Sequence, residues 1–360
     1  MTQAPSYDSR GLVNLMAEIE SRLIGSAPAP RLTPELSETI PGAETVVLIL
    51  FDGLGEAQLA HPGAASFRES RRGVIEAGFP TTTSVSLATI ATALPPSQHG
   101  VVAHLAWLPE HDRVVNTLKW VDLGGNPVLH EYEAMLPSPN LWERLGSAGV
   151  EAITVQPDGF RTSPLTRVLY RGARFEGIWD VEDMIDATVQ LAQRPGRFIF
   201  TYVPQVDFAG HVFGLESDEF AEAMGIAARI WDEVRRKLPE GAVLIGTADH
   251  GLIEFPEDRK LLIREPQFDK LRFAGDTRGV HLWCSPEQAD ALVTLTGGAL
   301  LDPKELIGPD PTSSALERLG NTLLIPPGNL ALLPKGFDKR LRAYHGGLDR
   351  REVEIPLLVG

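Results

Sequence analysis

Three carboxylates, three imidazoles and one hydroxyl stand out in this chain because each follows an apolar run or sits beside glycine. They are Asp52 in LILFDGLG, Thr83 in FPTTTSVSLATIATALPPSQHG, Asp207 and His211 in VPQVDFAGHVFG, Asp249 and His250 in IGTADHGL, and His345 in AYHGG. Asp and His together suit hard-to-borderline divalent cations, and a hydroxyl beside two such cations is a nucleophile in waiting. The chemistry this set could do is metal-assisted transfer or hydrolysis of a phosphoryl group.

Each residue alone has a plainer reading. An Asp after a strand often caps a turn, and a Thr before a helix is commonly its N-cap. Asp207 and His211 are four apart, which puts them on one face only if the segment is helical. The helix-end position of Thr83 also serves a nucleophile, since free N–H groups and the positive helix end favour an alkoxide and its phosphorylated form. The plain readings do not explain why the acids fall on successive strand ends, whereas a two-metal centre requires it.

The elements that must position these groups are legible. VVLILF (46–51), VEAITVQ (150–156), RFIFTYV (197–203) and AVLIGTA (242–248) are continuous apolar runs, the pattern of strands covered on both faces. Helical stretches such as NLWERLGSAG and EAMGIAARIWDEVRRKL alternate with them, and EVEIPLLVG offers a last strand. The expected fold is a doubly wound α/β sheet, largely parallel and flanked by helices on both faces. Ligands bind outside the carboxyl ends of such strands, so Asp52, Asp207 and Asp249 can meet at one edge. An amphipathic helix is expected over 8–24. Residues 162–181 read as irregular and Arg-rich. The Pro- and Gly-rich stretch 256–340 reads as an inserted lid or cap, leaving 1–255 and 341–360 as the catalytic core.

Composition narrows the class. The chain has 360 residues, 43% of them hydrophobic, and a net charge of −15. No apolar run approaches the roughly 18 to 20 residues of a membrane helix. No basic stripe is available for nucleic acid. The N-terminal sequence lacks the basic and apolar regions of a secretory signal, so a cytoplasmic protein is expected. The single Cys284 excludes an intramolecular disulfide and a Cys-based zinc site, which leaves any metal to His and carboxylate.

At these motifs the chain resembles the alkaline phosphatase superfamily, and within it the nucleotide pyrophosphatase/phosphodiesterase branch. The resemblance runs from about Val46 to Pro356 and is most specific in FPTTTSVSLATIATALPPSQHG, with D-x3-H-x2-G, A-D-H-G and the late His-Gly following in order. It implies an alkaline-phosphatase-like fold and a phosphoric ester hydrolase of the phosphodiesterase or nucleotide pyrophosphatase type. It makes Thr83 the nucleophile, phosphorylated in transit. One zinc ion would be held by Asp52, Asp249 and His250 and would activate Thr83. A second would be held by Asp207, His211 and His345. Asp/His ligands also accept Mn2+. The partner implied is a small phosphorylated substrate, nucleotides included.

One departure concerns His104, which stands where the phosphodiesterases carry an Asn that donates to a phosphoryl oxygen. An imidazole can donate too, and gains charge at lower pH. Trp107 is a candidate for stacking on the substrate, with Trp120 and Tyr132 beside it in sequence, and Arg161 and Arg167 are candidates for a second phosphate. His99 reads as fixing the turn after the nucleophile helix. His61, His111, His130 and His281 read as ordinary histidines. No Lys or Arg neighbours Thr83 in sequence, which favours a diesterase over a monoesterase facing a dianion. Monoester hydrolysis, phosphonoacetate-hydrolase-like C–P cleavage and phosphomutase activity are the alternatives on the same dimetal core, with a non-catalytic phospholigand-binding protein behind them. Leaving-group recognition is expected from the lid.

Overall fold

In the computed structural model, residues 4–334 and 336–360 are described. Seven strands form the larger sheet, in the order Arg71–Glu76, Glu354–Val359, Ala242–Thr247, Thr45–Phe51, Arg197–Val203, Glu151–Pro157, Arg174–Ile178. The five from Ala242–Thr247 onward pair in parallel, and Glu354–Val359 runs antiparallel to both of its neighbours. Every residue of Thr45–Phe51 and of Arg197–Val203 is buried. That explains the unbroken apolar runs, because helices cover both faces and no position along the strand meets water. Truncating a residue such as Leu48 or Ile49 to Ala should cost about 2–5 kcal/mol.

The N-terminal helix spans Leu12–Ile24, four residues shorter at its start than the expected 8–24. Gly11 is extended at the N-cap and its N–H donates to Asn14 Oδ1 at 2.8 Å, so the chain cannot continue helically backward. Nor is the helix simply amphipathic, since Leu12 to Glu20 are all buried. Two of its acids are satisfied within the fold: Glu18 pairs with Arg22 and Arg31, and Glu20 pairs with Arg144.

Residues 162–181 are not irregular. Ser163 caps a helix over Pro164–Leu169, accepting from Thr166 N–H, and Arg174–Ile178 is the edge strand of the large sheet. The strand escaped notice because an edge position is only half covered and tolerates Arg and Glu.

A second sheet is antiparallel throughout. Its order is Ala299–Leu301, Thr322–Ile325, Gly279–Trp283, Arg272–Asp276, Leu105–Leu108, Arg113–Asn116, Val121–Asp122. It therefore joins part of the stretch 256–340 to residues 105–122, which follow the Thr83 helix in sequence. Among the described residues, no helix is long and apolar enough to cross a membrane.

Candidate active site

Strand ends and tight turns bring the predicted acids together. Asp52 directly follows Thr45–Phe51, and Asp249 lies two residues beyond Ala242–Thr247 on the adjacent strand. Between Asp52 and the next turn, Gly53 has φ of +75°, and a Cβ there would lie 2.9 Å from Asp207 Cα. Only glycine lets that turn approach the helix Gln205–Phe213 so closely. The Gly53 N–H also donates to Asp249 Oδ1 at 3.0 Å, and Asp207 N–H donates to the Asp52 carbonyl at 3.0 Å. The glycine that looked like turn chemistry in sequence thus ties all three acids together.

Helix Gln205–Phe213 puts Asp207 and His211 on one face, with Asp207 Oδ1 at 3.3 Å from His211 Nε2. His345 follows the short strand Ala343–Tyr344. Its loop is clamped: Gly346 N–H donates to Thr81 Oγ1, Gly347 N–H to Glu352 Oε1, and Thr277 Oγ1 to the His345 carbonyl. Two groups result, Asp52 with Asp249 and His250, and Asp207 with His211 and His345, each with ligand atoms within 4.8 Å of one another. Thr83 opens the buried helix Thr83–Thr92, whose N-cap is Thr82, and its Oγ1 is 3.2 Å from His250 Nε2.

The donor set fits a pair of cations. Nδ1 of His250 lies 3.2 Å from the Gly251 carbonyl, that of His211 2.7 Å from the Ala343 carbonyl, and that of His345 2.8 Å from the Thr81 carbonyl. A carbonyl only accepts, so Nδ1 carries the proton in each ring and Nε2 is left as a bare lone pair. The bare Nε2 atoms of His211 and His345 are only 3.2 Å apart, and the His250 and His345 rings stack at 3.6 Å. Asp52 Oδ1, Asp207 Oδ1 and Asp249 Oδ2 are buried with no hydrogen-bond partner among the described residues. Orphaned anionic oxygens facing bare nitrogens are costly unless positive charge lies between them.

Electrostatics agree. Burial, then the Asp249 and Asp207 charges, push the Asp52 carboxyl well above its usual range. Burial also raises Asp207, against the opposing pull of His211 and His250. Burial, followed by the neighbouring His250 and His211, holds His345 well below the ordinary imidazole value.

Beside Thr83 lies a cavity of about 430 Å³, lined by Asp52, Thr83, Asp207, Leu87, Lys119, Gln156, Phe160, Leu165, Tyr170 and Tyr202 among others. Several of these were missed in sequence. Tyr202 donates its hydroxyl to Asp52 Oδ2, and a phenol near the carboxyl end of a buried strand was the available signal. Lys119 brings a cation to the lining of this cavity, where none is adjacent to Thr83 in sequence. Residues 118–119 and 156–170 contribute to the lining of this cavity, and among the described residues none of 256–340 does, although that stretch was the expected source of leaving-group contacts. The reason is topological: Glu151–Pro157 ends at the same sheet edge as Asp52.

The remaining candidates fall elsewhere. His104 is half-buried, with Asn116 Nδ2 3.3 Å from its Nε2, and lies close enough to His211 for their charges to oppose. Burial drives it down to about 4, so it is neutral at physiological pH and the expected gain of charge is confined to strongly acidic solution. Trp107 is not brought to the Thr83 cavity; the Arg272 guanidinium covers its ring at 3.4 Å. Trp120 and Tyr132 pack against His130. Arg161 pairs with Asp158 and Arg167 with Glu133, both at 2.7 Å. His99 does hold its turn, bonding Thr89 and accepting from Val101 N–H.

Known proteins carry the comparison further. Murine ectonucleotide pyrophosphatase/phosphodiesterase 5 is structurally similar, with a TM-score of 0.64 at 17% identity over 87% of each chain. An inactive variant of that protein, in complex with AMP, superimposes equally well, with a TM-score of 0.64 at 17% identity over 87% of each chain. Phosphonoacetate hydrolase from Sinorhizobium meliloti, in complex with phosphonoacetate, gives a TM-score of 0.64 at 18% identity over 89% of this chain and 91% of its own. At these identities the likeness establishes the alkaline-phosphatase-like fold. No curated protein matches the chain in sequence. The profile of the type I phosphodiesterase / nucleotide pyrophosphatase family matches residues 46–294, more than half the chain. The chain belongs to that family of phosphoric ester hydrolases.

Proposed function

We propose that the protein is a two-zinc phosphodiesterase or nucleotide pyrophosphatase that works through a phospho-Thr83 intermediate. The observation that carries this is Thr83 Oγ1 at 3.2 Å from His250 Nε2, beside carboxylate oxygens left without partners. Asp52, Asp249 and His250 would hold one ion, Asp207, His211 and His345 the other. Bound there, divalent ions, Zn2+ or Mn2+, would supply Lewis-acid charge to the nucleophile and to the phosphoryl oxygens.

The residues' own work follows from their positions. Thr83 Oγ forms a bond to phosphorus as the bond to the leaving oxygen breaks; the Thr83 proton passes to solvent and the leaving oxygen departs as the anion or takes a proton back from solvent. The first turn of Thr83–Thr92 directs N–H groups and the positive end of the helix toward the phosphoryl oxygens. Neutral His104, whose Nε2 accepts from Asn116 Nδ2, would donate to a phosphoryl oxygen through Nδ1. Water then attacks the phospho-threonine, returning Thr83 and releasing the phosphoryl product.

The cavity volume suits a small phosphorylated molecule. Leu87, Phe160, Leu165 and Tyr202 offer an apolar wall for a flat leaving group, and Gln156 and Lys119 offer polar contact. A nucleotide meets that description, and AMP bound to a structural relative supports it.

Lys119 favours a second reading, a monoester or phosphonate whose extra negative charge it would meet. Comparing turnover of mono- and bis-(4-nitrophenyl) phosphate separates the two: the diester should be preferred, and a strong monoester preference abolished by Lys119→Ala would select the second. For the nucleophile, Thr83→Ala should lower kcat by roughly 10³-fold or more while the protein stays folded. Brief turnover before acid quench should leave one phosphoryl group on the peptide containing Thr83. Retained activity in the Ala variant would sink the assignment.

A further inference from the structure

We propose that Glu110, His111 and His130 form a third metal site, taking one borderline divalent cation such as Zn2+, separate from the two groups at Thr83. Ligand atoms of the three lie within 4.8 Å of one another. His111 Nε2 is 2.9 Å from His130 Nδ1, and Glu110 Oε1 is 4.0 Å from His130 Nδ1. Zinc–nitrogen bonds of about 2.0–2.1 Å in a tetrahedral site place two ligand nitrogens about 3.3 Å apart, so the rings need open only by a few tenths of an ångström.

The site is built from a turn and a loop. Glu110 and His111 sit on the 3-10 turn Pro109–His111, which Asp112 closes in the left-handed conformation at φ of 50°. His130 arrives from the loop beyond Val121–Asp122, and Trp120 stacks on its ring at 5.2 Å and 20°. That stack fixes the ring plane before any ion binds, which is the preorganisation a ligand needs. The Glu110 side chain is 42% exposed and free to swing inward. Arg318, 3.6 Å from Glu110 Oε1, competes for it and would have to yield.

All three residues open onto a cavity of about 570 Å³ that also includes Glu131, leaving room for water or a fourth ligand. A cation here would tie the 109–111 turn to the 130 loop. The strand between them presents Asn116 to His104, and Thr117 Oγ1 donates to Ser84 Oγ at 2.8 Å, next to the nucleophile. The third ion would therefore stiffen the hairpin that backs the active site.

Zinc content per chain after loading and gel filtration tests this, for the whole protein and for His111→Ala, His130→Gln and Glu110→Gln. Each variant should hold one equivalent less than the parent. Because the difference is read, it holds whatever number of ions the Thr83 groups retain. Co2+ should also quench the Trp120 component of fluorescence, identified with Trp120→Phe, in the parent but not in His130→Gln. Glu110→Gln changes an exposed side chain, so it reports even if a His variant misfolds. Equal zinc in the parent and Glu110→Gln, with Co2+ quenching of Trp120 unchanged by His130→Gln, would overturn the site.

Discussion

The two acidic groups at the sheet edge are built differently. Asp52, Asp249 and His250 come from neighbouring strands of one sheet and are at most 3% exposed. Asp207, His211 and His345 come from a helix and a loop, and the side chains of Asp207 and His211 are 15% and 18% exposed. Parallel strands held by ladder hydrogen bonds deliver atoms to fixed places, and burial strengthens every charge placed there. A helix face and a clamped loop leave one side open to solvent. On the proposed mechanism the first arrangement holds the nucleophile and the second admits water. One edge of one sheet thus provides both a dry and a more open group of ligand atoms.

The comparison breaks most sharply if the buried half is altered. Asp249→Asn removes an anion whose Oδ1 accepts from the Gly53 and His250 N–H groups and whose Oδ2 lies 3.3 Å from His250 Nε2. Turnover should fall by more than roughly 10²-fold, beyond the range for a supporting contact. Steady-state assays with added metal check it, and rescue by excess metal should be far weaker than for His211→Ala in the open half.

A milder test removes support without removing a ligand. Tyr202→Phe deletes the donor to Asp52 Oδ2, and should cost roughly 10- to 100-fold in metal affinity or activity. Zinc competition titrations should show the loss confined to one of the two equivalents held beside Thr83. Loss from both would mean that the halves are not separable.

The smallest effect is read in stability against pH. Asp52 and Asp207 have folded-state values raised above the ordinary 3.8. The folded protein therefore binds more protons than the unfolded chain above that value, and the chelated protein loses stability as pH rises from about 4 toward each folded value. Asp276, raised to about 7 by burial, adds to the same slope between 3.8 and 7. Asp276→Asn should raise the stability of the chelated protein at pH 8 by on the order of a few kcal/mol and flatten the profile. Denaturant melts at pH 4.5 and pH 8 measure it, and added zinc should reverse the Asp52 and Asp207 part.

Local signals account for what could be read in advance. Thr45–Phe51, Arg197–Val203 and Ala242–Thr247 announce themselves because full burial demands unbroken apolar runs, and their ends locate Asp52, Asp207 and Asp249. Arg174–Ile178 did not, because an edge strand carries no such demand. Trp107 was a reasonable stacking candidate by type, yet Arg272 covers it from a strand more than 150 residues away. Lys119 and Phe160 line the cavity beside Thr83 from separate segments that no spacing rule connects.

The chain's own order of residues was enough to single out the candidate ligands and the family, because metal ligation and nucleophilic attack need particular atom types, and those types are visible one residue at a time. Only the tertiary structure decided which nitrogen each histidine presents, which segments wall the cavity beside Thr83, and that residues 105–122 share a sheet with 272–325. Those outcomes depend on long-range pairing and side-chain direction, whose energies are spread over many weak contacts and leave no single motif behind.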